Sequence, residues 1–323
     1  MKEEKIPSLT EKIRIFALGG LDEDGKNLFC VEVDQSIYVI EAGIKFPDNK
    51  ESLGIEFIIQ DFTYLVENKD RVAAIFITHG HDDVMGALPY LLKQVPCDVY
   101  TAPLAVKEVQ KKIRQEHISG VRVHSVKRNE KKRIGKRRIV FFPITHAYPG
   151  TFGLAIQTDQ GYIVYSGEFI EDYDDLEDAY RADFTTISEI GNEGVLALLQ
   201  ESKGAERSGH TSPNHRIAPK LLQVLETHEH KRVFVSVYNQ SVYRIQEIID
   251  CCMASHRKMV FYSKELRELV ERLKDIGYEV DPTLVVDPQD FDNSMKDVVV
   301  IISGQGKSLF KTINNIANNE LDS

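Results

Sequence analysis

The stretch Ala74-Ile-Phe-Ile-Thr-His-Gly-His-Asp-Asp-Val-Met-Gly-Ala-Leu-Pro-Tyr-Leu-Leu92 decides the fold of this chain. It begins with an apolar run that predicts a buried strand and ends with apolar residues at helical spacing. His79, His81 and Asp83 lie between them, each two residues from the next. In an extended loop this spacing turns all three side chains to one side, where two imidazoles and a carboxylate can bind a zinc-type cation. A polar strand end with two surface histidines is the alternative interpretation.

The length and composition indicate a globular protein with two domains. The chain has 323 residues, of which 42% are hydrophobic and 28% charged, and this length suits two domains of ordinary size. A net charge of −10 argues against a broad surface that binds polyanions. A local basic channel is compatible with this charge. Residues 127–138 hold eight basic side chains. We interpret them as a solvated hairpin, with an RNA-facing rim as the alternative.

The sequence also predicts where the protein works. Its start, Met1-Lys-Glu-Glu-Lys-Ile-Pro7, lacks the apolar core of a signal peptide, and no apolar run reaches membrane-spanning length. The four cysteines show no metal-ligand spacing, so we expect reduced thiols rather than disulfides. These observations predict a cytoplasmic protein with no membrane partner.

The acidic run 171–178 is expected to form a solvated face and the start of a helix.

The central motif resembles that of a known family. Thr78-His-Gly-His-Asp-Asp83 is similar to the His-x-His-x-Asp-His signature of the metallo-β-lactamase fold, in the form found in the ribonuclease J family. The segments 18–27 and 40–43 are similar to the opening of that family. Val84 stands where the family has a metal-binding histidine, and Glu41 stands where it has an aspartate that supports the metal site. With these altered positions the chain resembles the degenerate second paralogue of the family in Gram-positive bacteria.

Two later segments resemble further metal motifs of the family. His146 follows the predicted strand Ile139–Phe142, and a histidine in that place matches the third metal motif, which favours ligation over a purely structural role. Glu168, in Ser166-Gly-Glu-Phe169, takes the place of an aspartate that bridges two metals. The longer glutamate keeps the charge but moves its oxygens outward by about one bond length, and zinc–oxygen distances vary little.

The resemblance implies one well-formed metal site and one impaired site. One ion would bind three histidines: His79, His81 and His146. The second ion would depend on Asp83, on the histidine that Val84 replaces, and on a downstream histidine absent from the chain. A single zinc still lowers the pKa of a bound water, whereas efficient catalysis in this class uses two metals. We therefore expect one Zn²⁺ or Mn²⁺ per chain, with Asp83 and Glu168 as catalytic residues.

The same resemblance predicts the fold class and the domains. The expected architecture is α/β: a metallo-β-lactamase αββα sandwich with an inserted, doubly wound α/β β-CASP domain, truncated at its C-terminus. Residues 195–199 are predicted to form a buried strand. The segment 200–206 that follows resembles the point where the family leaves its lactamase core. We therefore assign 1–205 to the lactamase domain and 206–323 to a β-CASP domain, in which regular alternation of helices and strands indicates double winding.

Three segments are similar to segments of the family that lie near RNA. The predicted RNA-binding residues are Glu201, Ser202, Ser241, Tyr243, Arg244, Gly304, Gln305 and Gly306. The last three resemble a loop whose backbone amides can meet a phosphate. The run Gly304-Gln-Gly-Lys-Ser308 also invites interpretation as a Walker A motif, but that motif needs a glycine at position 301, which is Ile301.

Three functions compete at this point. The resemblance implies a ribonuclease of reduced or altered activity in RNA maturation and decay, with endonucleolytic and 5′-exonucleolytic action both open. Its partners would be RNA and either an active ribonuclease J paralogue or a second copy of the chain. The second function is a catalytically inactive subunit that binds RNA or the paralogue, which Val84, Glu41 and Glu168 favour. A lactamase-fold hydrolase of small thioesters is a third, weakened by the α/β insertion after Ser202.

Overall fold

The computed structural model describes residues 11–47, 54–170, 177–209, 216–292 and 294–318. The chain divides into two compact units. The first unit combines Met1–His146 with Gly150–Ser208, and the second combines Ala147–Pro149 with Gly209–Ser323. The domain boundary suggested by the sequence, between residues 205 and 206, stays a prediction. Most of the acidic run 171–178 lies outside the described residues.

Strands and helices alternate along most of the chain. The strands are β1 (Ile13–Gly19), β2 (Leu28–Val33), β3 (Ser36–Ile40), β4 (Val72–Ile77), β5 (Val99–Thr101), β6 (Val123–Ser125), β7 (Lys131–Ile134), β8 (Arg137–Pro143), β9 (Phe152–Thr158), β10 (Gly161–Tyr165), β11 (Val195–Leu199), β12 (Val233–Tyr238), β13 (Lys258–Phe261) and β14 (Val298–Gly304). The helices are α1 (Thr63–Glu67), α2 (Asp82–Met85), α3 (Leu88–Gln94), α4 (Val106–Gln115), α5 (Phe184–Glu193), α6 (Ala218–Thr227), α7 (Val242–Ala254), α8 (Lys264–Leu273) and α9 (Gly306–Ala317).

One sheet of the first unit has the strand order β1-β2-β3-β4-β5-β6. Strands β1 to β3 form an antiparallel meander, and β3 to β6 run parallel. Ile75, Phe76 and Ile77 of β4 are fully buried, as expected for a parallel strand covered on both faces. Met85 and Leu88, from α2 and α3, pack into the same core as Ile75. The apolar half of the central sequence motif is therefore core.

The second sheet of this unit has the strand order β11-β10-β9-β8-β7. The rings of Phe141 in β8 and Phe76 in β4 lie 5.8 Å apart between centroids, so the two sheets face each other. Tyr38 in β3 adds a hydrogen bond from its hydroxyl to the carbonyl oxygen of Ile134, at 2.9 Å. Ile190 of α5 packs into the core of the second sheet. This layered arrangement of sheets and helices is the one predicted from the sequence.

The second unit is built on the parallel strands β12-β14-β13. Helices α6 to α9 alternate with these strands along the chain, as the doubly wound prediction requires. The buried guanidinium of Arg257 donates to the carbonyl oxygens of Leu225 and His228, both at 3.2 Å, and pairs with Asp297 at 2.6 Å. These bonds tie the end of α6 to the loops before β13 and β14.

Strand β11 differs from the prediction. Residues 195–199 form a strand, but Val195 and Leu196 are each 44% exposed and Leu198 is 55% exposed. Among the described residues β11 pairs with β10 alone, at the edge of the sheet. An apolar run does not distinguish an edge strand from a central one, so the predicted burial is wrong.

The loop after β4 also differs from the prediction. The sequence predicts one extended segment from His79 to Asp83. In the structure the extended backbone ends at His81, because α2 begins at Asp82. Asp83 therefore lies in the first turn of a helix, and period-two spacing does not apply to it.

The basic stretch forms the hairpin β7–β8, where ion pairs compensate part of its charge. Arg137 pairs with Glu11, Asp34 and Asp159. Lys131 and Lys132 pair with carboxylates of Glu189 and Glu130, respectively. This pairing agrees with the interpretation of a solvated hairpin.

Candidate metal centre

Two loops at strand ends bring three histidines together. His79 and His81 follow β4, and His146 follows β8. The ring centroid of His79 lies 4.4 Å from that of His81 and 4.4 Å from that of His146. The rings of His81 and His146 are 5.1 Å apart. Because β4 and β8 belong to facing sheets, the fold itself causes this convergence.

Glu168 completes the group. It follows β10 in the turn Ser166-Gly167, where Gly167 has φ +67, a conformation that glycine adopts readily. One ligand atom from each of His79, His81, His146 and Glu168 lies within 4.8 Å of the others. Imidazole nitrogens and a carboxylate oxygen are the donors that zinc prefers. The structure thus brings together four of the five predicted ligands, and Asp83 lies outside this group.

A buried chain of hydrogen bonds orients His79. The Thr78 hydroxyl donates to Glu41 Oε1 at 2.6 Å, and the Thr78 backbone N–H donates to Oε2 at 3.1 Å. His79 Nδ1 lies 3.0 Å from the same hydroxyl oxygen. When Glu41 is ionised and accepts the single hydroxyl proton, Nδ1–H is the donor in the second bond. The lone pair of His79 is then on Nε2, which is left to bind a cation.

The segment 41–44 after β3 holds α2 in place. The backbone N–H of Ala42 donates to the carbonyl oxygen of Val84 at 2.7 Å. A Cβ on Gly43 would lie 1.5 Å from the backbone oxygen of Asp83, so only glycine permits this approach. The segment Glu41-Ala-Gly43, which resembles the opening of the family, therefore makes the backbone contact that fixes the position of Asp83.

Burial keeps two of the imidazoles neutral. Burial, together with the neighbouring His81, lowers the pKa of His146 to about 3. Burial is also the largest cause that lowers the pKa of His79 well below its usual value, followed by the nearby His146 and His81. A neutral imidazole has a free lone pair at neutral pH, which metal binding requires.

The carboxyl groups are crowded into a small volume. Burial raises the pKa of Glu168 to about 9, and the charges of Asp83 and Glu201 act in the same direction. Burial raises the pKa of Glu41 to about 8 against the opposing hydrogen bonds from Thr78. Oδ1 of Asp83 is buried and has no hydrogen-bond partner among the described residues. Crowded carboxylates beside neutral imidazoles are an arrangement that a divalent cation would stabilise, so these residues fit the metal that the family resemblance implies.

Val84 contributes no ligand. It is fully buried in α2, directly after Asp83. Within the described part of the chain, the candidate ligand group contains no histidine beyond His79, His81 and His146. A second ion next to Glu168 would therefore have to rely on carboxylate oxygens.

A cavity of about 930 Å³ in the first unit adjoins the centre. Asp83, Glu168, Glu201 and Ser202 all line it, so two of the predicted RNA-binding residues share one space with the two predicted catalytic residues. Asn27 Nδ2 lies 3.5 Å from Glu168 Oε1. The cavity gives a substrate access to Glu168 and Asp83.

The remaining predicted RNA-binding residues belong to the second unit. Ser241 precedes α7, and Tyr243 and Arg244 lie in its first turn. Arg244 pairs with Glu247 at 2.6 Å, and its guanidinium lies 5.7 Å from the ring centroid of Tyr243.

A second set in this unit lies beside the first. Gly304 ends β14, and Gln305 and Gly306 lead into α9. Strands β12 and β14 pair in parallel up to the contact between Tyr238 and Gly304. The loops after the two strands therefore emerge at the same edge of the sheet.

Sequence reasoning assigned no role to Thr78, Asn27 or Tyr165. Thr78 precedes His79 in the motif, and that adjacency was a signal for a role in orienting the imidazole. Tyr165 is buried at the end of β10 and hydrogen-bonds Glu41. Nothing in the sequence connects Tyr165 with Glu41, because only the packing of the two sheets brings them together.

Comparison with known proteins defines the class. Residues 47–233 match the family described as "Beta-lactamase superfamily domain", and residues 230–322 match "Ribonuclease J, beta-CASP domain". The chain is thus a metallo-β-lactamase fold protein with a β-CASP domain, as predicted. It belongs to the beta-lactamase superfamily, and its C-terminal segment matches the β-CASP domain of ribonuclease J.

The relatives are longer proteins. "Ribonuclease J 2" of Staphylococcus saprophyticus is 33% identical over 300 residues, which cover 92% of this chain and 53% of that protein. "Ribonuclease J 2" of Staphylococcus aureus is 34% identical over 300 residues, with coverage of 92% and 53%. The chain therefore spans about half the length of these relatives.

A solved structure has the same fold. The crystal structure of a protein of unknown function from Enterococcus faecalis V583 aligns with a TM-score of 0.64 over 92% of this chain and 78% of that chain, at 14% identity. None of the helices in the described part of the chain has the length and hydropathy needed to cross a membrane.

Proposed function

We propose that this chain is a metal-dependent RNA phosphodiester hydrolase of the ribonuclease J type, with one metal ion and low catalytic power. The observation that carries the proposal is the group of His79, His81, His146 and Glu168, whose ligand atoms lie within 4.8 Å of one another. Zn²⁺ or Mn²⁺ suits this mixture of imidazole and carboxylate donors. The names of the relatives, "Ribonuclease J 2", support RNA as the substrate.

The residues of the chain prepare the site for hydrolysis. A bound ion would supply a hydroxide at neutral pH and polarise a phosphoryl oxygen. Thr78 holds the Nδ1 proton of His79, which keeps Nε2 available as a ligand. Burial and the neighbouring Asp83 raise the pKa of Glu168 to about 9, and any proton on this carboxyl group has to leave when it becomes a ligand.

Asp83 is the residue to which we assign the general base. Its Oδ1 is buried and has no hydrogen-bond partner in the described part of the chain, and the residue lines the cavity together with Glu168. A carboxylate in this position can accept a proton from an attacking water. Asn27, at 3.5 Å from Glu168 Oε1, helps to orient the neighbouring carboxylate.

Val84 is the reason for expecting low catalytic power. Two-metal sites stabilise both the attacking and the leaving oxygen of a phosphodiester. A site with one ion stabilises less of that charge, and the buried valine removes a ligand from the second position. Both endonucleolytic and 5′-exonucleolytic cleavage are compatible with this geometry.

We further propose that RNA contacts two groups of residues. In the first unit they are Glu201 and Ser202, which line the cavity. In the second unit they are the residues at the ends of β12 and β14, namely Ser241, Tyr243, Arg244, Gly304, Gln305 and Gly306. Backbone N–H groups at the start of α9 are suited to a phosphate.

The alternative proposal is a catalytically inactive subunit that binds RNA or an active ribonuclease J paralogue. Val84 favours it, because a buried valine beside Asp83 cannot be a ligand. In either case we propose that the protein acts in the cytoplasm, where the four free cysteines stay reduced. Its protein partner would be the paralogue or a second copy.

The test is a nuclease assay on 5′-phosphorylated single-stranded RNA with added Zn²⁺ or Mn²⁺. We expect slow cleavage that stops with chelator and in His81→Ala and His146→Ala, whereas the exposed His230 provides a matched control in His230→Ala. Cleavage that survives both ligand substitutions would refute the proposed centre. Absence of cleavage in the unaltered, metal-loaded chain would favour the inactive subunit.

A further inference from the structure

The cavity beside the metal centre is strongly acidic. Among the described residues that line it, seven are acidic: Asp22, Glu23, Asp24, Asp83, Glu168, Glu201 and Glu206. Lys203 is the single basic residue in the same lining. An RNA phosphodiester that enters this cavity meets an excess of negative charge, and its entry is unfavourable unless positive charge compensates it.

Lys203 lies in the turn that follows β11. The backbone N–H of Ala205 donates to the carbonyl oxygen of Ser202 at 3.0 Å, and Gly204 has φ +80. This tight turn carries Lys203 to the rim of the cavity, where its ammonium lies 3.0 and 3.2 Å from the two carboxylate oxygens of Asp24.

The pair between Lys203 and Asp24 is exposed to solvent. The two side chains are 69% and 79% exposed. Exposed ion pairs contribute little free energy, since water and salt screen them. The ammonium can therefore leave Asp24 for a stronger partner, and a phosphate group is a better acceptor for a charged donor than a solvated surface carboxylate.

Lys203 also interacts electrostatically with acidic residues at the metal centre. The charges of Glu168 and Glu201 act on its ammonium, after the larger effect of the Asp24 hydrogen bond, and all three raise its pKa. In return, Lys203 lowers the pKa of Glu201 against the larger effect of burial. The positive charge of Lys203 is therefore within electrostatic range of Glu168, which lines the cavity and also belongs to the ligand group.

We propose that Lys203 binds the phosphodiester of RNA at the rim of this cavity, and that Asp24 holds the ammonium in place until RNA displaces it. The inference rests on the proposed function and deepens it. It names a residue that supplies positive charge at the cavity that Asp83 and Glu168 line. The segment 200–206 resembles the family pattern, and Lys203 is one of the positions where this chain departs from it.

The competing explanation is structural: the Lys203–Asp24 pair would simply tie two loops together. The two explanations predict opposite results for Asp24. A structural tie is broken equally by removing either partner. A phosphate-binding lysine loses function when it is removed but gains function when its competing carboxylate is neutralised.

The experiment measures the affinity of metal-loaded protein for a ten-nucleotide, 5′-phosphorylated RNA by fluorescence anisotropy, with RNA that is recovered intact after the titration. We expect Lys203→Met to weaken binding about tenfold, as for loss of one charge-assisted hydrogen bond. Lys203→Arg should stay within about threefold of the unaltered chain, since arginine also binds phosphate. Asp24→Asn should strengthen binding by about two- to fivefold.

Two controls separate a specific contact from a general effect of charge. Lys93→Met removes a lysine from another exposed ion pair, with Glu116 at 2.6 Å, and should leave the affinity unchanged. The plot of log affinity against log salt concentration has a negative slope. Its magnitude should decrease by about 0.7 in Lys203→Met, the value for one phosphate contact on a single strand. It should not change in Lys93→Met.

Three results would overturn the inference: equal weakening in Lys203→Met and Asp24→Asn, unchanged binding in Lys203→Met, and no binding by the unaltered chain. None of them depends on cleavage. If the chain does not cleave RNA but the lysine variants behave as expected, the proposed hydrolysis fails and the binding role of Lys203 stands. If cleavage is metal-dependent and Lys203→Met binds RNA normally, the binding role of Lys203 fails and the proposed hydrolysis stands.

Discussion

Thr78 shows how one hydroxyl group can determine whether a histidine is ready to bind a metal. Its proton goes to Glu41 at 2.6 Å, so its oxygen accepts from Nδ1 of His79 at 3.0 Å. Partners of this kind orient metal-binding histidines and raise their affinity for the ion. The buried Glu41 thus acts on the centre through Thr78, although the sequence places a longer side chain there than the family has.

The first prediction concerns this hydroxyl. Thr78→Val keeps the shape of the side chain but removes the bond to His79 Nδ1, and we expect the dissociation constant for Zn²⁺ to rise about 10- to 100-fold. Thr78→Ser retains a hydroxyl and should bind nearly normally. Competition with a chromophoric chelator measures both. A folded Thr78→Val variant with unchanged affinity would show that the hydrogen bond has no influence on the metal.

The second prediction concerns Asp183, which caps α5. Its carboxylate accepts from the backbone N–H groups of Thr185 and Thr186 and from the side chain of Asn129 at 2.6 Å. Burial alone would raise the pKa of Asp183, but a hydrogen bond from the Thr186 hydroxyl at 2.9 Å, together with the bonds just named, outweighs it and holds the pKa below its usual value. We expect Asp183→Ala to lower the free energy of unfolding by about 1 kcal/mol at pH 7.

The sign of the pH dependence follows from the lowered pKa. The carboxylate contributes fully above the pKa of the unfolded chain, about 3.9, and its contribution is lost as pH falls through the lower pKa of the folded state. The difference in free energy of unfolding between Asp183→Ala and the unaltered chain, measured by urea unfolding, should therefore become smaller at acid pH. This difference is called the gap below. Asp183→Asn keeps the cap and serves as the matched control. A gap that grows on acidification would contradict this account.

Glu168 illustrates what residue identity alone can establish. The sequence shows that the charge of the family's aspartate is kept and that the side chain is longer. Whether the carboxylate still reaches the histidines depends on where β10 ends and on the positive φ of Gly167. The structure places a Glu168 oxygen within 4.8 Å of the three imidazole ligand atoms, so the backbone accommodates the extra methylene.

At the scale of elements, the contact between the segment after β3 and α2 matters most for the site. Gly43 allows the two backbones to touch, since a Cβ there would lie 1.5 Å from Asp83 O. We predict that Gly43→Ala lowers the free energy of unfolding by at least about 3 kcal/mol, because a loop or a helix must move to relieve the overlap. Urea unfolding followed by circular dichroism measures this loss.

Gly191 provides the control for that measurement. It lies within α5, and a Cβ there meets no atom within 4 Å. Gly191→Ala should therefore raise stability by about 0.5–1 kcal/mol, the usual gain in a helix. If both glycine substitutions had similar effects, the close approach at Gly43 would not be the feature that holds α2.

The pattern of elements could be predicted from the sequence, but two aspects of their placement could not. Alternating and apolar runs identified most strands, including β4 and β8, because periodicity reflects burial directly. Periodicity did not show that β11 is an edge strand with exposed Val195 and Leu196, since strand order is a property of the whole sheet. It also did not show that a helix begins at Asp82, because two acidic residues suit a loop and a first helical turn equally.

At the scale of the whole molecule, the centre depends on contacts between segments far apart in the chain. His79 and His81 come from one sheet of the first unit, and His146 and Glu168 come from the other. No local sequence signal joins these two pairs. The resemblance to a known family predicted the pairing, and the physical cause is the packing of the facing sheets, seen in the contact of Phe76 with Phe141.

The distribution of charge is another property of the whole molecule. The net charge of −10 is concentrated in part around the cavity, which seven acidic residues and Lys203 line. The RNA binding proposed above would depend on individual cations near the cavity, such as Lys203. In the β7–β8 hairpin part of the basic charge is paired, since Arg137 alone contacts three acidic residues.

The most direct test of the central claim is the metal content per chain, measured by elemental analysis of protein purified without chelator. A single centre of His79, His81, His146 and Glu168 predicts about one Zn²⁺ or Mn²⁺ ion, lost in His146→Ala and kept in His230→Ala. Two ions per chain would contradict the claim that Val84 removes the second site. No bound ion at all would contradict the centre itself.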